Sequence, residues 1–192
     1  RKVVFSSSAH VYDIPPKALP TDEQQPLRLN NTYTTTKILG EQLCDLYWTN
    51  HGLNYTVLRL FNAYGPGQAK GYFIPDMLEK ARGGRIDLNG ADTTKDFVYI
   101  DDVARAFCSA IDTPFVGAIN IGTGLQTSLG SVVSYLHPYF LGLQCSLQGQ
   151  ADKATRMQAD ISRAKRVLDW RPTVSIWEGL RAVIGDKAKI AA

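Results

Sequence analysis

Long apolar runs are missing from this 192-residue chain. No stretch approaches the ~18 apolar residues that would cross a bilayer as a helix, so no transmembrane span is expected. The N-terminal Arg1-Lys2-Val3-Val4-Phe5 is too short an apolar run for a signal peptide. Cysteine is scarce. Cys44, Cys108 and Cys145 are widely spaced, odd in number and form no C-x-x-C. That usage fits structural thiols in a reducing compartment, so the expected location is the cytoplasm and no metal is expected. Charge of one sign is also lacking. The 21 basic and 18 acidic residues leave a net charge of +3, with no dense basic stripe. Nucleic acid and acidic membrane surfaces are therefore not expected partners. No internal repeat or low-complexity tract is visible.

What is present is ordinary for a soluble globular protein: 44% hydrophobic and 20% charged residues. The length suffices for one domain with a real core, or one and a half small ones. Residues 2–8 read as a buried strand with a polar end, Ser6-Ser7-Ser8, where an open α/β sheet places its ligand. Residues 13–32, with four prolines, read as a loop long enough to be functional. Asn31 or Thr32 caps a helix from Tyr33 to Asn50, stopped by His51-Gly52. Residues 55–61 are a second strand. Strand, helix, strand makes a βαβ unit and a parallel sheet. A short helix over 72–83 and a turn at Asn89-Gly90 follow. Next come a strand over 96–100, a helix from Val103 to Ile111, and a buried strand over 118–122. Ser128 caps a helix to about Tyr139, Asp160 caps a basic helix to Leu168, and Ser175 caps a last helix through Ile184.

Tyr33 and Lys37 stand four apart on the first of these helices, so they share one face. An ammonium near a phenol favours phenolate and makes a usable acid or base near neutral pH. By itself the spacing also fits a plain surface pair. Asp101 and Asp102 at a helix start read as caps. Gly122-Thr123-Gly124 lacks the third glycine of a dinucleotide loop and reads as strand, turn and cap. Arg163, Lys165 and Arg166 suit the C-terminal half of their helix and read as a solvated face.

Six blocks carry a resemblance, in order along nearly the whole chain. They are Phe5-Ser6-Ser7-Ser8-Ala9-His10-Val11-Tyr12, Tyr33-x-x-x-Lys37, residues 58–66 (LRLFNAYGP), residues 95–102 (KDFVYIDD), Asn120-Ile121-Gly122, and residues 159–172 around Asp160 and Trp170. Together they resemble the extended short-chain dehydrogenase/reductase family, in particular its nucleotide-sugar epimerases, dehydratases and reductases. The resemblance implies an α/β fold: the C-terminal portion of a doubly wound, Rossmann-like parallel sheet over 1–66 and 96–123. A smaller α/β substrate domain would take 67–95 and 124–192. It implies hydride transfer between a sugar carbon and a nicotinamide cofactor, NAD with NADP left open.

Carried onto this sequence, the resemblance makes Tyr33 the general base or acid at the sugar hydroxyl. Lys37 would lower the phenol's pKa and hold the nicotinamide ribose. Ser8 would hydrogen-bond the reacting oxygen. Ser6, Tyr33, Lys37 and Phe61 would lie on the cofactor. Asn62 would meet the substrate diphosphate, as would Lys95, which stands where many relatives have Arg. Arg156 is either a second phosphate clamp or an exposed surface residue. Family dehydratases and decarboxylases carry carboxylates where this chain has Ala9 and His10. That favours a 4-epimerase, with a keto-sugar reductase or dehydratase as alternatives. His10 is either an acid/base residue or a histidine packed beside the sugar. Asp13 stands where Gly is usual. A homodimer is implied, with Leu43, Leu46, Tyr47 and Trp48 on the helix that relatives pair.

The family's Gly-rich turn for the pyrophosphate would precede Arg1, since no G-x-x-G-x-x-G or G-x-G-x-x-G lies before Ser8. The expectation is a chain that begins roughly a hundred residues into a doubly wound fold. It would be a fragment inactive alone, or else a non-catalytic remnant acting in dimerisation or sugar-nucleotide binding.

Overall fold

The computed structural model describes residues 1–150 and 155–185. Strand β1 (Lys2–Ser8) leads through a 3-10 turn to the long loop and then to helix α1 (Thr32–His51). Strands β2 (Asn54–Leu60) and β3 (Asn62–Tyr64) follow, then α2 (Phe73–Arg82), β4 (Arg85–Asn89), β5 (Thr94–Lys95) and β6 (Phe97–Tyr99). The chain continues with α3 (Ile100–Asp112), β7 (Gly117–Ile121), β8 (Thr127–Ser128) and α4 (Leu129–Leu136). It closes with β9 (Gln144–Gln148), α5 (Ser162–Leu168) and α6 (Ile176–Ile184).

The predicted βαβ unit is present. β1, β2 and β7 form one parallel sheet in that order, with Ser8 level with Leu60 and Leu60 level with Ile121. All three strands therefore end at one edge, where Ser8, Phe61 and Gly122 emerge. β1 differs from the expected fully buried strand. It sits at the sheet edge with its first half only partly covered, and Val3 is 38% exposed.

Helix α1 forms where its punctuation predicts. The Asn31 side chain accepts the Thr34 N–H at 2.9 Å, and Gly52 ends the helix at φ +64°. Gly40 lets α1 lie against β1, because a Cβ there would meet the Phe5 ring at 2.3 Å. β4 and β9 were not expected. They pair in parallel, and β9 is exposed along its length, so burial leaves little signature in its sequence.

Three apolar clusters form, and the two larger flank the site. One packs Leu58, Val98, Ile119, Ile121, Val103, Ala106, Leu168 and Trp170 around the parallel sheet. The other packs Ile74, Met77, Leu78, Ile86, Val132, Leu136 and Leu180. α5 falls in the stretch assigned to the substrate domain, yet Ala164 and Leu168 belong to the sheet's cluster. Its small and apolar face is complementary to α3 and β7.

Among the described residues, no buried side-chain nitrogen or oxygen lacks a hydrogen-bond partner. Arg59 of β2 and Glu41 of α1 have side chains 7% and 9% exposed and meet at 2.6 Å, with two further hydrogen bonds at 3.1 and 3.2 Å. The Ser7 hydroxyl donates to the same carboxylate. Arg59 also donates to the Tyr12 phenol at 2.9 Å, which donates to Asn120 at 2.7 Å. Burial pushes the Tyr12 phenol up to about 12 even against the Arg59 charge. The long loop is pinned to this network: Asn120 donates to the Thr21 carbonyl, and its own N–H is accepted by Glu23. Asp13, unexplained in sequence, pairs with Arg28 at 2.8 Å on the outside of that loop.

Asp102 does not cap its helix as expected. Tyr99 is the N-cap residue, with no side-chain cap, and the fully buried Asp102 carboxylate accepts from Thr173 N, Thr173 Oγ1 and Val174 N at 3.0–3.1 Å. It staples α3 to the segment ahead of α6. Removing one member of a buried pair leaves the other charge unsatisfied. Glu41→Ala is expected to lower the unfolding free energy by about 3–5 kcal/mol in urea denaturation, and Glu41→Leu with Arg59→Met to recover most of it. An effect of the single change within the range of surface mutations would show that the pair holds nothing.

Candidate active site

The sheet's C-terminal edge opens into a cleft of about 400 Å³. Its wall is built by the three serines of β1, by Tyr33 at the start of α1, and by Phe61 and Asn62 after β2. Gln68, Tyr72, Phe73 and Ile74 close the far side, with Lys95 and Phe97 between. Strand alternation gives the serines separate jobs. The Ser6 carbonyl accepts from Lys37 Nζ at 2.9 Å, and Ser7 turns to Glu41. Ser8 Oγ accepts the His10 N–H at 3.2 Å, which leaves its own hydrogen to donate.

Tyr33 is half exposed and faces the cleft, and Lys37 Nζ lies 5.6 Å from the Tyr33 ring centre. The pair expected from spacing alone is therefore assembled, with Lys37 fixed by Ser6 rather than loose on the surface. Phe61 is buried and Ser6 partly buried, both on the cleft wall. The Asn62 amide donates to the Asp96 carbonyl at 3.2 Å. Arg156 is exposed, is bridged through its backbone to Thr94, and is not among the residues lining the cleft. The structure thus brings together every predicted site residue except Arg156, with Lys37 just behind the wall.

Lys95 and His10 line the same cleft, and neither takes part in an ion pair among the described residues. Burial pushes the Lys95 ammonium below its ordinary pKa. Partial desolvation of its ring, and then the Lys95 charge, push His10 down as well. Among the described residues, no Asp or Glu lines the cleft.

Asp96, next to Lys95, is turned away and fully buried. Its carboxylate accepts from Thr123 N and Oγ1 at 2.6 Å, Gly124 N at 2.8 Å and Ala159 N at 3.0 Å. Burial raises its pKa against the pull of these donors. The Gly122-Thr123-Gly124 turn is therefore an anion cradle filled by the protein's own carboxylate, which agrees with its reading as no phosphate site. Tyr72, Phe73 and Gln68 were not singled out from sequence. They come from the run into α2, where nothing in the local pattern separates cleft-facing from core-facing aromatics. Among the described residues, no group of three or more His, Cys, Asp or Glu is placed to hold a metal. No helix among them is long and apolar enough to cross a membrane.

The profile of the NAD dependent epimerase/dehydratase family matches residues 1–122. The chain belongs to that family. The match contains Ser8, His10, Tyr33, Lys37 and Lys95, and Arg156 lies beyond it. The chain is 32% identical over 192 aligned positions to a putative UDP-glucose 4-epimerase of Methanocaldococcus jannaschii, covering 95% of this chain and 62% of that protein. Among solved structures of the family's fold, RMD from Pseudomonas aeruginosa with NADPH superposes at a TM-score of 0.87 and 23% identity. That match covers 95% of this chain and 65% of RMD. The UDP-glucuronic acid 4-epimerase of Bacillus cereus, solved with UDP-glucuronic acid and NAD, superposes at 0.83 and 29% identity. That match covers 98% of this chain and 61% of the Bacillus protein. The chain therefore spans about three fifths of the length of the family members it matches. The Rossmann-like parallel α/β architecture implied by the sequence is the observed one.

For His10, a titration midpoint below the ordinary 6.5 is expected by NMR. Lys95→Met removes the smaller of its two causes, so the midpoint should move up without returning fully. A midpoint above 6.5 in the unaltered chain would place the imidazole elsewhere than in this cleft.

Proposed function

We propose that the cleft binds a nucleotide sugar and serves NAD(P)-dependent 4-epimerisation through a keto intermediate. The observation that carries this is the assembly of Tyr33 and Ser8 on one wall, with Lys37 locked behind Tyr33. A nicotinamide cofactor bound beside Ser6, Phe61, Tyr33 and Lys37 supplies the hydride acceptor and donor. These residues fit its ribose and ring end: Lys37 presents an ammonium held by the Ser6 carbonyl, next to an exposed phenol. The Thr123 and Gly124 amides are spent on Asp96, so that turn is not free for the cofactor's pyrophosphate.

In this reading the Tyr33 oxygen would take the proton from the sugar hydroxyl and later return it to the same oxygen, while the bound nicotinamide would supply the acceptor and donor for the carbinol hydride. Ser8 donates to the same sugar oxygen. Asn62 and Lys95 hold the diphosphate. Lys95 does so as a point charge rather than a bidentate fork. The sheet's cluster would form the cofactor domain and the second cluster the substrate domain. That none of the described residues lining the cleft is a carboxylate supports epimerase or keto-sugar reductase chemistry over dehydration, which needs an acid beside the sugar. The free thiols fit a cytoplasmic setting.

The exposed face of α1 supports a homodimer. Leu39, Leu43 and Leu46 are each 53% exposed and share one face of α1, with Tyr47 (48% exposed) at its margin, an apolar stripe that the described residues leave open.

Tyr33→Phe, in the natural protein that carries this sequence, is expected to lower kcat by about 10²–10⁴-fold while KM changes little. An unchanged kcat in a coupled epimerase assay would remove Tyr33 from the chemistry. Leu43→Glu with Leu46→Glu is expected to convert a dimer to a monomer by light scattering. A mass unaffected by the change would move the interface off α1.

A further inference from the structure

Asp96 is fully buried, does not line the cleft, and has no part in the chemistry proposed above. It connects the two residues read there as the diphosphate clamp. Lys95 precedes it in the chain and lines the cleft. Asn62 donates twice to the Asp96 carbonyl, from its backbone N–H at 2.9 Å and from its side-chain amide at 3.2 Å. The Asp96 carboxylate is held from two other segments. Thr123 N and Oγ1, both at 2.6 Å, and Gly124 N, at 2.8 Å, come from the turn after β7, and Ala159 N, at 3.0 Å, comes from the run before α5. Gly122 makes room for it: a Cβ there would meet Asp96 Oδ2 at 3.0 Å and the Ala159 Cβ at 2.7 Å. The strand that carries Lys95 is fixed on both sides as well. Lys95 pairs with Thr127, and the neighbouring Thr94 carbonyl accepts from Met157 N at 3.2 Å.

One residue thus joins the end of the parallel sheet to both members of the clamp. Charge-assisted hydrogen bonds from N–H donors to phosphate are short, about 2.7–2.9 Å, and weaken steeply with misalignment. The ammonium and the amide must therefore arrive together at fixed places. We infer that Asp96 is a positioning residue for the substrate's diphosphate, its carboxylate anchoring the peptide that carries Lys95 and holds Asn62. The inference rests on the nucleotide-sugar reading of the cleft. Asn cannot take its place. Oδ1 faces Thr123 N, and Oδ2 faces Gly124 N and Ala159 N, so an amide NH2 meets an N–H whichever way it turns.

The test is calorimetric titration of the natural protein that carries this sequence with uridine, guanosine, cytidine and thymidine diphosphates. With the preferred base, Asp96→Asn, its fold checked by circular dichroism, is expected to weaken binding about tenfold or more. Lys95→Met is expected to weaken it as well. In that background the further loss on Asp96→Asn is expected to shrink, because Asp96 acts through a charge that is gone. A purely structural role would leave that further loss as large as before. Should Asp96→Asn not fold, Thr123→Val, which removes one hydroxyl donor and keeps the carboxylate, takes its place in the same comparison, with a loss of about threefold expected. Unchanged affinity in Asp96→Asn or its Thr123→Val replacement, unchanged affinity in Lys95→Met, or an undiminished further loss in the Lys95→Met background overturns the inference and leaves the nucleotide-sugar reading standing. No heat from any of the four diphosphates overturns that reading and the inference with it.

Discussion

The Arg59–Glu41 pair is the constraint on which the site's geometry rests. A guanidinium and a carboxylate taken out of water must be matched on every side, because the desolvation cost of each is several kcal/mol. Here the matching groups come from four places: Ser7 on β1, Arg59 on β2, Glu41 on α1, and Tyr12 at the mouth of the long loop. Satisfying the charges therefore sets α1 against the sheet at one height and one rotation. Glu41 lies one turn beyond Lys37 on the same helix face, and Lys37 one turn beyond Tyr33. Once Glu41 is held by Arg59 and Ser7, Lys37 reaches the Ser6 carbonyl and Tyr33 arrives on the cleft that Ser8 also lines.

The same rule governs the other buried acids. Asp96 is enclosed by four donors from the Thr123 turn and Ala159, and Asp102 by the backbone and hydroxyl at Thr173 and the N–H of Val174. Each carboxylate ties one segment to another that is distant in sequence. Because these acids are consumed inside, the cleft wall is left with neutral and basic groups. The resulting positive character follows from where the carboxylates went, and not from any excess of base in a chain whose net charge is only +3.

Local chemistry that reads the same in any context was legible. Asn31 and Ser175 sit where a short polar side chain completes a helix start, and Gly52 takes the left-handed φ that ends α1. The apolar β-branched runs of β2 and β7 are buried strands because a sheet covered on both faces demands them. Where a residue's partner lies far along the chain, local reading failed. Asp102 looks like a cap at a helix start, yet apart from Arg105 one turn on, its donors Thr173 and Val174 are about seventy residues away. β9 is polar and exposed and pairs with β4, while α2 packs on β4 and α4 on β9, so no pattern of its own announces it.

By itself the sequence determined the α/β class and most helix positions through periodicity and caps, and its six motif blocks carried the resemblance to the family and the candidate pair Tyr33 and Lys37. Tertiary structure alone decided which polar groups are spent on the protein and which face the cleft. Gly122-Thr123-Gly124 could cradle an anion, and the structure assigns that anion to Asp96. Arg156 could clamp a phosphate, and the structure leaves it outside the cleft wall. Lys95 and His10 are far apart in the chain, and become one electropositive site only when β1 and β5 are brought to the same cleft. Burial and hydrogen-bond partners are properties of distance in space, and no window along a chain contains them.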